Sequence, residues 1–409
     1  MSTISPGLVW RLSSRNIWRN PKRSLFTLLA IAVGIWSALS LSAFTRGLNQ
    51  TLVLKAINNL TGHVKVMHSD YHRDPVVQHR ISMPGDRELE ILNSVNVKKW
   101  AARVRVPGVI MSERESYGVN IVGIDPAQEV NLSFVGEGIA QGRELKGPED
   151  EGVLVGKKML ELLQTDIGKR IVLMSEGEAG EIADRGFRIV GVFDAELEAT
   201  ERVFVFTGRT VLQNMLGIGD DVSEVSMRVV DGEQDLVKTE LKAALPNDDV
   251  ETWETLEPLT VAMRDVQSGF LHIWNIIVVV AVGFGLVNTM FMAIFERTRE
   301  FGLFRAIGMR PAMIYLQVIG ESIVLLICGA LLGNSIGLLT VHYFADGLDL
   351  SRFAQGLEHF GAGRIVYPIL RTDDVVVSNV TIVVLAMLST IYPAWRAARL
   401  EPVEALSKI

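Results

Sequence analysis

Residues 295–311, FERTREFGLFRAIGMRP, set a dense run of charge between two long apolar stretches. The segment is built of helix formers, staggers Leu303, Phe304 and Ile307 with Arg305 turned away from them, and stops at Pro311, where a new helix can begin. The pattern predicts a short amphipathic helix at a membrane surface, tied at both ends to membrane helices. A push on such a segment moves both neighbours together.

Its flanks belong to a set of four runs, residues 25–44, 266–295, 312–345 (broken by Glu321) and 375–395, each uncharged or nearly so. Each reaches the roughly 20 residues that cross about 30 Å of hydrocarbon. The fold expected is a membrane protein with four transmembrane α-helices and a large α+β periplasmic domain between helices 1 and 2. The expected division is an interfacial amphipathic helix over 1–22, spans over 23–45, 266–295, 312–345 and 375–395, the external domain over 46–265, a coupling helix over 296–311, an external loop over 346–374 and a cytoplasmic tail over 396–409.

Charge sets the orientation. Arg11, Arg15, Arg19, Lys22 and Arg23 precede the first run, Arg396 and Arg399 follow the last, and Arg297, Arg299, Arg305 and Arg310 lie in the opening segment. The positive-inside rule puts all of these in the cytoplasm, so both termini are expected there, in a bacterial inner membrane. Residues 46–265 are then external and carry most of the acidity behind the net charge of −7, which argues against nucleic acid as a partner. The first run has a basic flank and the small residues SALSLSA, as a secretory signal does. Its apolar core exceeds the roughly 7–15 residues of such a signal, so a retained span is expected. One cysteine, Cys328, excludes a disulfide framework.

In residues 8–20, LVWRLSSRNIWRN, the three arginines share one helical face with Trp10 and Ile17 opposite, as in a helix lying among headgroups. Ala30, Gly34 and Ala38 in the first span, and Gly329, Gly333 and Gly337 in the third, recur every four residues. Small residues so spaced let helices pack closely in lipid, within one subunit or between two. Glu321 is an ionisable group inside a span and is expected to hydrogen-bond to a neighbouring helix or to face a polar cavity.

The external region carries short β-branched runs, HVKVM, VNIVGI, GVLVG, RIVLM, FRIVGVF, RVFVF and VSMRVV, with KKMLELLQ (157–164) and QDLVKTELKAAL (234–245) read as helices. Enzyme signatures are lacking. GVLVGKK has three residues between its glycines and no Ser or Thr after the lysine, so it is no Walker A loop, and neither G-x-S-x-G nor H-E-x-x-H occurs. His63, His68, His72 and His79 crowd together but match no zinc spacing, and a strand followed by a loop should turn their rings apart, so no metal is expected.

ERTREFGLFRAIGM resembles the cytoplasmic coupling segment of the FtsX-like permease superfamily, the membrane subunits of mechanotransmission-type ABC systems. RNIWRNPKRSLFTLLAIAVGI (15–35) is similar to that family's entry sequence, and PAWRAARLEPVEAL (393–406) to its closing motif. Externally, TGHVKVMHSDYHRDP, VGIDPAQE, GRELKGPEDEGVLVGKKMLELL and GKRIVL with FRIVGVF resemble lipoprotein-releasing (LolC/LolE-type) permeases and their macrolide-exporter relatives. One departure is the polar loop SEGEAGEIADRG (175–186), where carrier-docking relatives have an extended hook containing proline.

The resemblance implies a non-catalytic subunit with no cofactor of its own, ATP and Mg being bound by two copies of a partner ABC ATPase. That ATPase would dock on Glu296, Arg297, Arg299, Glu300, Phe301, Leu303, Phe304, Arg305, Ile307 and Met309. A second permease copy, identical or homologous, would complete the membrane part. The function implied is extraction of lipoproteins or other lipidated cargo, handed on to a periplasmic carrier or adaptor. Alternatives are export of drugs, peptides or small amphiphiles through an adaptor and outer-membrane duct, and FtsX-like signalling to a cell-wall hydrolase. Trp36, Phe44 and Phe284 are candidates for lining a cargo pocket.

Overall fold

The computed structural model describes residues 21–195, 198–350 and 365–398. The expected interfacial helix, apart from residues 21 and 22, and the tail from residue 399 onward lie outside the described residues. The described residues divide into two compact units, one of residues 21–51, 264–350 and 365–398, the other of residues 52–195 and 198–263.

The first unit is helical. Among the described residues four helices are long and apolar enough to cross a membrane. They are α1 (Pro21–Ala56), α6 (Pro258–Glu296), α8 (Pro311–Tyr343) and α9 (Thr372–Ala398); five shorter helices, introduced below, complete the numbering. α1 and α6 extend well beyond the expected spans 23–45 and 266–295, so the domain assigned to 46–265 gives residues at both ends to helices. α6, 39 residues long, measures about 58 Å at 1.5 Å per residue, far more than a bilayer core needs. The apolar composition marked only the part that lipid would cover, and the helices continue through polar residues that composition cannot assign.

Ile31, Ile35 and Leu39 of α1, Val282 and Leu286 of α6, Leu326 of α8 and Ile382 and Ala386 of α9 form the centre of this bundle. Glycine sets how closely α1 and α8 approach. A Cβ on Gly329 would stand 2.8 Å from Ile31 Cβ, and one on Gly333 would stand 2.7 Å from the Ala32 carbonyl oxygen. Gly337 meets Leu39 in the same way. Gly34 faces elsewhere, toward Val282 of α6. The two small-residue stripes therefore do not interlock, and the glycines of α8 instead receive the bulky Ile31, Ile35 and Leu39. Between α8 and α9, Asn334 and Asn379 exchange side-chain hydrogen bonds of 2.7 and 2.9 Å. Arg46 of α1 makes a two-pronged contact with Asp374 of α9.

The second unit is built on a mixed ten-stranded sheet. Its strands are β1 (Val64–His68), β2 (Val97–Met111), β3 (Ser116–Ile124), β4 (Gln141–Gly142), β5 (Gly152–Gly156), β6 (Arg170–Glu176), β7 (Ile182–Phe193), β8 (Phe204–Gly208), β9 (Glu224–Val229) and β10 (Asp248–Thr252). The order is β10-β1-β9-β2-β3-β8-β5-β7-β4, with β6 bridging β2 and β7. β3–β8 and β5–β7 are parallel and the other pairs antiparallel. β2 pairs with β9 through its first half and with β3 and β6 through its second, so one strand of 15 residues joins both parts of the sheet. Helices α2 (Asp86–Leu92), α3 (Lys157–Leu162), α4 (Arg209–Leu216) and α5 (Gln234–Ala244) cover the sheet. The segment 175–186 is not a loop. Ser175 and Glu176 pair with Ala183 and Ile182, which leaves only residues 177–181 as the turn of a β-hairpin.

Candidate functional site

α6 ends at Glu296, and α7 (Thr298–Ala306) begins two residues later. Arg297 sits between them at φ −110°, outside helical geometry, and its carbonyl accepts from Phe301 N–H at 3.0 Å. α7 closes with Ile307 N–H on the Leu303 carbonyl and Gly308 N–H on that of Arg305. Gly308 then takes φ +96°, a conformation that a Cβ would strain, and Arg310 is extended before Pro311 opens α8. The predicted helix over 296–311 is therefore a single nine-residue helix with a turn on each side.

The sequence pattern did not identify the buried face of α7. Phe301 and Gly302 are buried, and Phe304 and Met309 pack partly beneath them against Ile294, Ile314, Val318, Ala394 and Ala397. Leu303 and Ile307, read with Phe304 as one apolar face, are 50% and 76% exposed, and Arg305 is half-buried. Nine residues make too few turns for spacing alone to choose between two apolar stripes, and tertiary packing chose the one led by Phe301. Glu296 and Arg299 are exposed.

Arg297 ties this segment to α8. Its Nη1 donates to both carboxylate oxygens of Glu321, at 2.8 and 3.0 Å, and its Nε donates to Glu300 at 3.2 Å. Its guanidinium carbon lies 5.1 Å from the centre of the Phe301 ring. Arg297 and Glu321 are each 7% exposed. Two charges so buried in apolar surroundings are tolerable only as a pair, and one guanidinium, with Nη1 on Glu321 and Nε on Glu300, serves both carboxylates. Glu321, expected to meet a neighbouring helix or a polar cavity, thus meets the first residue after α6. The chemistry available here is mechanical: a buried ion pair joins the junction of α6 and α7 to α8.

The three cargo-pocket candidates are not brought together as a lining. Trp36 Nε1 donates to Thr340 Oγ1 at 3.0 Å, Phe44 packs edge-on against Phe344 at 5.8 Å, and Phe284 is 74% exposed on α6. Two cavities open instead on the sheet unit. One of about 430 Å³ lies among Arg80, Met83, Glu88 and Asp248, and one of about 390 Å³ among Lys55, Asn58, Phe134, Asp194 and Thr200.

A second buried ionic group went unread in the sequence. Arg103 of β2 pairs with Glu129 at 2.6 and 2.8 Å, Lys65 of β1 pairs with Glu224 of β9 at 2.8 Å, and Arg103 Nη1 reaches Glu224 at 3.4 Å. Arg103 Nη1 and Ser226 Oγ both donate to the Leu60 carbonyl, at 2.6 and 3.1 Å, and so hold a residue whose φ is +71°. Burial pushes Glu224 up, yet the charges of Lys65, Arg105 and Arg103 outweigh it and hold the carboxyl down to about 2.

The histidines separate. His63 is buried and its Nδ1 accepts from Val229 N–H, and burial with the nearby Arg228 charge lowers its pKa. His72 is exposed. His68 and His79, expected to diverge, stack with ring centres 5.1 Å apart and planes 7° from parallel, because residues 69–78 fold back on the end of β1.

The MacB-like periplasmic core domain model matches residues 24–244, and the FtsX-like permease C-terminal model matches residues 273–402. The chain belongs to the FtsX-like permeases with a MacB-like periplasmic core. These are permeases of ABC transporters, which work with ATPase subunits, and the family is one of the inner membrane. The "Macrolide export ATP-binding/permease protein MacB" of Mannheimia succiniciproducens is 24% identical, over 98% of this chain and 60% of the relative. The chain thus spans about three fifths of the length of such relatives. The "Lipoprotein-releasing system transmembrane protein LolC" of Xylella fastidiosa is 24% identical, over 69% of this chain and 71% of the relative. The periplasmic region of MacB from Actinobacillus actinomycetemcomitans matches with a TM-score of 0.36 and 12% identity, over 51% of this chain and 96% of that one.

Proposed function

We propose that this permease extracts lipoproteins or other lipidated cargo from the inner membrane, driven by ATP hydrolysed on a separate ABC ATPase that docks against α7. The observation that carries the coupling is the Arg297–Glu321 clamp. A docked ATPase displacing α7 moves α8 through the clamp and α6 through the chain itself. Leu303 on α7 and Ile307 just after it, both exposed as are Glu296 and Arg299, form the surface that would meet the ATPase. Two ATPase copies and a second permease chain complete the assembly in this reading, with both termini in the cytoplasm.

The lipoprotein reading draws on the resemblance to LolC along 71% of that relative's length. The similarity to MacB over 98% of this chain supports a second reading, export of a small amphiphile with an adaptor. The short turn at residues 177–181 favours a subunit that does not itself dock a carrier. The test is to isolate the chain from native membranes in mild detergent and identify the co-purifying proteins and lipids by mass spectrometry. Recovery of an ATPase with acylated lipoproteins is the expected result. An ATPase with an adaptor and no lipoprotein would replace extraction by export, and isolation without any ATPase would overturn both.

A further inference from the structure

The chain between β1 and Ile81 is compact. Tyr71 N–H donates to the His68 carbonyl at 3.0 Å, Arg73 and Asp74 N–H both donate to that of Asp70, and His79 N–H donates to that of Val76. Two side chains anchor the segment in the domain. Tyr71 is 5% exposed with its hydroxyl on the Arg105 carbonyl at 2.7 Å, and Val77 is 3% exposed in the main core. His68 ends β1, paired with Asp248 of β10, so both ends of the arrangement are fixed.

This frame brings three ligand-bearing groups together. One nitrogen from each ring of His68 and His79 and one carboxylate oxygen of Asp70 lie within 4.8 Å of one another. The hydrogen bonds assign the unprotonated ring nitrogens. His79 Nδ1 lies 2.8 Å from the Asp74 carbonyl, which can only accept, so Nδ1 carries the proton and Nε2 is left bare. His68 Nδ1 accepts from Asp70 N–H at 3.2 Å, so it is the unprotonated nitrogen; it stands 3.9 Å from Asp70 Oδ2, and metal binding would replace that hydrogen bond. A ring nitrogen fixed by a backbone carbonyl is the outer-shell device that orients metal-binding histidines.

We propose that His68, Asp70 and His79 bind a zinc-class transition-metal dication, through His68 Nδ1, Asp70 Oδ2 and His79 Nε2, with water in the remaining position. Two imidazoles and one carboxylate suit zinc, copper or nickel, and are a poor set for calcium or magnesium, which take oxygen ligands. Bonds of about 2.1 Å require the three atoms to close to roughly 3.3 Å of one another. His68 and Asp70 are partly exposed, so side-chain rotation supplies that movement while Tyr71 and Val77 hold the backbone. The metal would staple the end of β1 to the segment that returns before Ile81.

The test is equilibrium dialysis of zinc chloride against the full chain in detergent, purified without a polyhistidine tag, followed by replacement of zinc with cobalt(II) to record its visible d–d bands. The expected result is one saturable zinc per chain, cobalt bands of a low-symmetry site, loss of both in His79→Ala and Asp70→Asn, and retention of both in His72→Ala. Thermal unfolding without metal checks that the variants fold as the wild type does. Absence of saturable zinc in the wild type, or binding unchanged in His79→Ala, would overturn the proposal, as would equal loss in His72→Ala.

Discussion

Arg297 stands where the chain leaves one apolar helix for the next element, and its guanidinium reaches a carboxylate 24 residues further on. Removing one partner takes from the other its main buried counter-ion, an effect of up to about 3–5 kcal/mol, although Arg297 keeps Glu300 at 3.2 Å. Glu321→Ala is therefore expected to lower the thermal stability of the helical unit sharply, and Arg297→Ala to do the same. An Arg297→Met/Glu321→Leu double variant removes both charges and should be less destabilised than either single one by calorimetry in detergent, while losing coupling. Glu224 offers a second test at this scale. Its folded pKa of about 2 lies below its ordinary value of 4.5, so the unfolded chain takes up protons first as the pH falls. The stability it contributes is complete above about pH 4.5 and is lost as the pH drops toward 2. Glu224→Gln should remove that acid-dependent component and also destabilise the sheet unit at neutral pH, because Lys65 is left buried without its carboxylate. An unfolding profile in Glu224→Gln with the wild-type acid slope would contradict this.

At the scale of elements, contact across the bundle depends on glycine. A side chain at Gly333 must displace the Ala32 backbone and Ile35, so Gly333→Leu is expected to separate α1 from α8 and greatly reduce recovery of folded chain by size-exclusion chromatography. Leucine at half-buried Gly285, where a Cβ would meet nothing within 4 Å, should be tolerated. The elements also separate what the sequence discloses from what it conceals. GVLVG, buried at all five positions as β5, and the helices at Lys157–Leu162 and Gln234–Ala244 were legible because burial and amphipathic period leave a mark in composition. β2 escaped notice. Lys98, Lys99, Arg103 and Arg105 break its apolar run, and Pro107 and Gly108 resemble a turn. Its logic is long-range, since Arg103 is tolerable inside the sheet only because Glu129 and Glu224 meet it there. β10, with the sequence DDVET, is polar for the same kind of reason and is held by its ladder to β1.

For the whole molecule, the four apolar runs pointed to the membrane class, and the charged interval between two of them holds the segment proposed above to meet an ATPase. Partnership was hidden. Glu321 could be recognised as anomalous but its counter-ion could not, because nothing in the local pattern of residues 295–311 distinguishes Arg297 from Arg299 until α6 and α8 are packed. The same holds for the reciprocal bonds of Asn334 and Asn379 and for the meeting of His68 with His79. Through the clamp, α7 and α8 become one mechanical body. The direct measurement places spin labels at Ala306→Cys and Leu331→Cys, both exposed, in a chain carrying Cys328→Ser and bound to its ATPase, and records the inter-label distance by pulsed electron paramagnetic resonance with and without a non-hydrolysable ATP analogue. One unchanged, narrow distance is expected in the otherwise wild-type chain, and a nucleotide-dependent shift or broadening once Glu321→Gln releases the clamp. A distance that shifts with nucleotide while Arg297 and Glu321 are intact, or one that stays fixed in Glu321→Gln, would contradict a rigid coupling of the two helices.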